Sequence, residues 1–100
     1  MSPGGWSEIM PVDEEVSMLC KWMQGIAGAK TKKSYGEFVA VEYRYQIVAG
    51  KKILAKVRVG ENEYVHLMIF NSPLLGDTIT IQFLGVEGDH KLEDPLVPFI

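Results

Sequence analysis

The feature that most constrains this chain is a single change of hydrophobic period. Val12, Val16, Leu19, Met23 and Ile26 recur at spacings of four and three, the stripe of one helical face, and nothing after residue 35 repeats in that way. Beyond it the period is two. Val39, Val41, Tyr43 and Tyr45 alternate with Ala40, Glu42, Arg44 and Gln46, and Ile53, Ala55, Val57 and Val59 alternate with Lys52, Lys56 and Arg58. These runs predict strands over 38–48 and 52–59, with the turn Gly60-Glu61-Asn62 leading into two more over 64–70 and 78–84. One helix with a stripe to bury and four strands with a face to bury have one compact solution. It is an α+β fold in which an antiparallel sheet wraps around a single N-terminal helix.

One hundred residues fit one domain, 1–100. Residues 1–10 read as an arm, because Ser2-Pro3-Gly4-Gly5 disfavours local order, with room for one short strand before the helix. The helix is expected over 11–29, favoured at its start by Asp13, Glu14 and Glu15 and weakened at its end by Gly25 and Gly28. Met18 and Trp22, four residues apart, are read as helix-to-sheet packing. The sheet is assigned to 35–86 and a tail to 87–100.

Ten basic against thirteen acidic residues give a net charge of −3, which leaves no dense basic face for a nucleic acid. No run approaches the ~20 apolar residues of a membrane span. The single Cys20 makes no internal disulfide, and the first residues lack the basic start and apolar run of a secretion signal, so a reducing, cytoplasmic setting is expected.

Groups for catalysis do not converge in the sequence. No pair among Cys20, His66 and His90 has metal-ligand spacing, so neither a metal nor a cofactor is expected and His66 is read as a structural or surface residue. Cys20 borders the apolar stripe and is read as buried, although sequence leaves a Cys20–His66 dyad open. Glu61, Glu63, Glu87 and Asp89 fall in turns, where solvated charge is usual. The chain is therefore not read as an enzyme.

Three apolar segments stand where polar ones belong. Tight hairpins normally use Asn-Gly or Asp-Gly, yet the first connection is Gln46-Ile47-Val48-Ala49-Gly50, and the third carries Ser72-Pro73-Leu74-Leu75. The arm adds Pro3, Gly4, Gly5 and Trp6, with Trp6 also able to cap the end of the core. In a meander the first and third connections share an end of the sheet. The chain entering the helix can reach that end too, so the three segments would form a wedge.

Gln46-Ile47-Val48-Ala49-Gly50 closely resembles the Gln-Val-Val-Ala-Gly loop of the cystatins, inhibitors of papain-like cysteine proteases, and the chain resembles the stefins, or type 1 cystatins. Pro3-Gly4-Gly5 followed by Ser7-Glu8, the run Glu37-Phe38-Val39-Ala40-Val41-Glu42-Tyr43, and Val65-His66-Leu67 with Phe70-Asn71-Ser72-Pro73 extend the likeness in order and spacing. Ile47 stands for the usual Val. Ser72-Pro73-Leu74-Leu75 differs from the Leu-Pro pair common in stefins, and the ending from Glu93 onward follows the family only loosely. The resemblance implies the cystatin fold and reversible blockade of a protease cleft of the cathepsin type. The contacts implied are Pro3, Gly4 and Gly5 on the non-primed side, Gln46, Ile47, Val48, Ala49 and Gly50 beside the catalytic thiol, and Ser72, Pro73 and Leu74 further along. It also implies an active monomer that can form a domain-swapped dimer. The alternative is a non-inhibitory interaction or scaffold module of the same fold.

Overall fold

Asp13 starts the helical region. Its carboxylate accepts from the Val16 amide at 2.9 Å, satisfying one free N–H of the first turn, and Glu14 and Glu15 sit at the positive end of the dipole. A computed structural model, which describes residues 5–72 and 79–100, shows two helical segments in place of one: α1, Glu14–Trp22, and α2, Gln24–Thr31, joined at Met23. The interruption is slight. Met23 N–H donates to the Cys20 carbonyl at 3.0 Å and the Ala27 amide to the Met23 carbonyl at 2.8 Å, so one buried stripe of Val16, Leu19, Cys20, Met23 and Ala27 runs through the join.

Ile26 is 43% exposed, because at about 100° per residue it falls on the flank of that stripe while Ala27 takes its centre. Met18 and Trp22, expected to pack on the sheet, are 53% and 59% exposed, and with Ile26 they line the side of the helix turned away from it. The same four-residue spacing that suggested packing also describes a stripe of the opposite face. At the far end Lys32 adopts φ 58°, and the chain doubles back so closely that a Cβ on Gly28 would stand 2.6 Å from the Lys33 carbonyl oxygen.

Five strands follow the order β1-β2-β3-β4-β5, every pair antiparallel: β1 Met10–Pro11, β2 Val39–Val48, β3 Gly50–Gly60, β4 Glu63–Asn71 and β5 Ile81–His90. The short first strand is present, and β5 continues to His90 where the tail had been expected to begin. The alternation in β2 breaks once. Ala40 pairs with Val57 and Glu42 with Lys56, so Val41 is an extra residue, a bulge that shifts the phase. Val39 and Val41, expected inside, are therefore exposed, while Phe38 and Ala40 pack on the core ahead of the bulge and Tyr43 after it.

The helix covers one face of the sheet through Tyr43, Ile53, Ala55, Val57, Val65, Leu67 and Ile69. The opposite face, expected to be solvated, is covered as well. Leu54, Met68 and Leu96 are buried there with Trp6, Leu84 and Phe99 against them, so the segment after β5 lies across the sheet. It fits because Gly85 has no side chain: a Cβ there would meet Ile100 Cδ1 and Phe99 Cε2.

Two basic side chains sit with this second cluster, Lys56 buried and Arg44 partly so. Lys56, 3% exposed, faces Glu42 Oε2 at 3.4 Å and donates to the Leu92 carbonyl, which compensates its lost hydration. Arg44 donates from Nε to the Ser7 carbonyl at 2.9 Å and from a terminal nitrogen to the Leu96 carbonyl at 2.7 Å, tying both ends of the chain to β2. Among the described residues no helix is long and apolar enough to cross a membrane.

His66, 1% exposed, is held neutral. Burial, with His90 and Lys56 beside it, pushes its imidazole down from 6.5 to about 4, while Glu87 and Asp94 pull weakly the other way. The unfolded chain therefore binds a proton between those values that the folded one refuses. Stability should be full above the unfolded value and fall as pH drops from about 6.5 towards 4, by at most roughly 3 kcal/mol. Denaturant unfolding at several pH values in chelator-containing buffer checks this, and His66→Gln should flatten that part of the profile.

Candidate functional site

The first connection is as tight as a hairpin allows. Val48 pairs with Gly50, which leaves Ala49 alone at the apex. Gly50 closes the turn at φ 129°, a conformation that L side chains rarely adopt. A Cβ there would also lie 2.8 Å from Phe70 Cζ and 2.9 Å from the Asn71 carbonyl oxygen. This near contact sets the first hairpin against the base of the β4–β5 hairpin, the second one at this end of the sheet.

Ile47 is 49% and Val48 38% exposed, and Ala49 is exposed too, so the aliphatic tip does not continue a buried strand. Beside it runs the arm. Trp6 forms a bridge with Gln46, the Ser7 amide donates to the Tyr45 carbonyl at 2.7 Å, and Ser7 Oγ accepts from the Tyr45 amide at 2.9 Å. Buried Ser7 thus extends the sheet by one rung, and Gly5 stands half-buried next to the tip. Trp6 also rests on the second hydrophobic cluster, so the arm is anchored at its root.

Across the tip, Ser72 completes the base of the second hairpin. Its amide donates to the Thr80 carbonyl at 2.8 Å, and its Oγ accepts from the Thr80 amide at 3.0 Å. Gly5, Gln46, Ile47, Val48, Ala49, Gly50 and Ser72 are therefore gathered at one end of the sheet. Pro3, Gly4, Pro73 and Leu74, expected in the same surface, lie outside the described residues.

The electrostatics of this end are mild. Lys51 stands 3.6 Å from Glu15 Oε1 and 5.6 Å from the Tyr45 ring centroid, and Lys52 follows it, so the apolar tip is flanked by cationic stems. No histidine or cysteine occurs among residues 5–8, 46–52 or 71–72. Cys20 is buried in the core, and burial pushes its thiol up to about 12, which leaves no reactive thiolate near neutral pH. What this end offers a partner is shape, apolar surface and backbone hydrogen bonds.

Ser7 and Arg44 position the site; Ser7 entered the sequence reading only through the resemblance, and Arg44 only as an outward strand position. A serine after an arm and an arginine on an outward strand position carry no pattern that marks them; only the fold brings Arg44 to the carbonyls of residues 7 and 96. Gly50→Ala is expected to cost about 1–3 kcal/mol through its φ and its contact with Phe70, lowering Tm by several degrees in calorimetry.

No family model matches the chain. Curated relatives do. It is 36% identical over 99 residues to Cystatin-A of Homo sapiens and 35% over 99 residues to Stefin-1 of Mus musculus, in both cases over 99% of this chain and 100% of the relative. It is also 34% identical over 99 residues to Leukocyte cysteine proteinase inhibitor 1 of Sus scrofa, over 99% of this chain and 95% of the relative.

Proposed function

The chain belongs to the stefins, the type 1 cystatins, and from that premise we propose that it is a reversible, tight-binding inhibitor of papain-like cysteine proteases of the cathepsin type. The observation that carries the reading is the exposed aliphatic tip Ile47-Val48-Ala49, held between an anchored arm and the base of a second hairpin. Exposed β-branched side chains on a closed hairpin have little rotamer freedom to lose, so their burial against a cleft is gained at small entropic cost.

In this mechanism the three segments enter the cleft as a wedge. The tip covers the primed side beside the catalytic thiol, with Gln46 to Gly50 in contact; Pro3, Gly4 and Gly5 run along the non-primed side, where glycine permits close passage over the floor. Ser72, Pro73 and Leu74 add contacts beyond the tip. No peptide bond is presented to the nucleophile, so blockade needs neither cleavage nor a covalent step. An interface of about 800 Å² per partner is sufficient for nanomolar affinity, about −12 kcal/mol, when the docking surface is preformed. The active form is the monomer, and the lone buried Cys20 suits a reducing, cytoplasmic setting.

Titration of papain with the chain, read by residual hydrolysis of a fluorogenic peptide, tests the reading. Activity should fall to near zero at stoichiometric inhibitor and return on dilution, with the chain recovered intact. Full activity at excess inhibitor would instead favour a non-inhibitory interaction module. Val48→Asp should weaken inhibition at least about a hundredfold, since a charge at the centre of a desolvated interface is costly, while leaving Tm within a few degrees.

The tip also has poor turn chemistry. Straightening residues 46–50 into one long strand would let the helices and β2 of two molecules exchange while keeping all other contacts. A domain-swapped dimer is expected after partial unfolding at high protein concentration. Because the hinge is the binding tip, the dimer peak from gel filtration should lack papain inhibition and the monomer peak retain it.

A further inference from the structure

At the other end of the outer face, five residues before Asn71 on β4, lies a polar cluster that the wedge does not use. His66 pairs across the sheet with Glu87, and the irregular end of β5, where Asp89 takes φ 60°, brings His90 over it. The two imidazoles stack with centroids 3.6 Å apart and planes within 6°. One potential ligand atom from each of His66, Glu87 and His90 lies within 4.8 Å of the others. Sequence spacing does not reveal this set, because the antiparallel register assembles it from two strands.

The arrangement around the two rings differs. His90 is held on both sides: Nδ1 is 2.8 Å from Asp94 Oδ2 and Nε2 is 3.1 Å from Glu87 Oε1. Asp94 is itself fixed by the Lys91 amide at 3.1 Å. His66 is 1% exposed, and its Nε2 has no hydrogen-bond partner among the described residues. A buried imidazole nitrogen without a hydrogen-bond partner, beside a second imidazole and a carboxylate, is a candidate metal donor.

We infer that His66, His90 and Glu87 form a site for one borderline-soft divalent cation, Zn²⁺, with water completing four-coordination. Two imidazoles and a carboxylate are a donor set suited to Zn²⁺ and poorly suited to Mg²⁺ or Ca²⁺. Asp94, accepting from His90 Nδ1–H, fixes the tautomer that presents Nε2 to the metal, the carboxylate–histidine arrangement that orients zinc ligands. To bring the donors within about 2.1 Å of one ion the ring of His90 must tilt off the stack, which its partial exposure permits, while buried His66 stays in place. The Lys56 ammonium nearby opposes a cation, but it is engaged by Glu42 and the Leu92 carbonyl.

The site stands roughly 17 Å along β4 from Asn71 at the strand's far end, so it is independent of the inhibitory reading. Full-length chain stripped with a chelator and returned to chelator-free buffer at neutral pH is titrated with Zn²⁺ by calorimetry, and the ring nitrogens of both histidines are followed by NMR. One equivalent should bind, shifting Nε2 of His66 and His90 together. Asp94→Asn should weaken uptake about ten- to a hundredfold and His90→Ala should abolish it. Both variants alter partly exposed residues, and far-UV circular dichroism with a thermal melt reports that they fold. No uptake at excess Zn²⁺, or uptake that His90→Ala leaves unchanged, would overturn the proposal.

Discussion

The guanidinium of Arg44 holds both ends of the chain, and much of the outer face depends on it. A charged donor to a neutral carbonyl contributes about 1.5–3 kcal/mol, and here one side chain makes two such bonds to backbone separated by nearly the whole sequence. The bond to the carbonyl of residue 7 fixes where the arm leaves the sheet, beside Gln46. The bond to the carbonyl of residue 96 seats Leu96 between Leu54 and Met68. A lysine could not replace it with the same effect, since a single ammonium lacks the planar fork that reaches two acceptors at once.

Covering both faces changes what burial means for the strands. With the helix alone, Lys56 and His66 would be solvated outward positions; with the tail in place they are 3% and 1% exposed. Lys56 tolerates this because Glu42 and a backbone carbonyl compensate it, and His66 because it stays neutral. The same covering holds the turn of residues 91–94 against Lys56 of β3, and so brings Asp94 to His90 at the end of β5. The polar cluster at one end and the anchored arm at the other are thus two consequences of one packing layer.

The class of fold and the identity of the hairpin tip are legible in the sequence because both are local. A helical stripe, an alternation of period two and an aliphatic turn each declare themselves within a dozen residues. The phase of β2 does not, since Val41 becomes a bulge with no glycine or proline to mark it, and one extra residue turns Val39 outward. Nor does the covering tail: Leu54, Met68 and Leu84 on outward positions are a local trace of it, and their partner Leu96 is distant. The exposure of Met18 and Trp22 was hidden for a related reason. Two apolar stripes on one helix compete, and the sheet accepts only the one that carries Val16, Leu19 and Met23.

An exposed aliphatic hairpin beside a long sheet is a hazard for edge-to-edge association, and the local residues limit it. Lys51 and Lys52 follow the tip directly, and a charge repeated on every copy opposes stacking of tips while its stem adds apolar surface. The arm occupies the edge that β2 would otherwise leave open at this end, through Ser7 and Trp6. Gly50 supplies the remaining constraint: its positive φ is readily adopted only by glycine, and its contact with Phe70 and Asn71 fixes the tip relative to the second hairpin. The surface is therefore apolar at the tip and guarded where another copy would pack against it, which limits aggregation without removing the exposed aliphatic side chains.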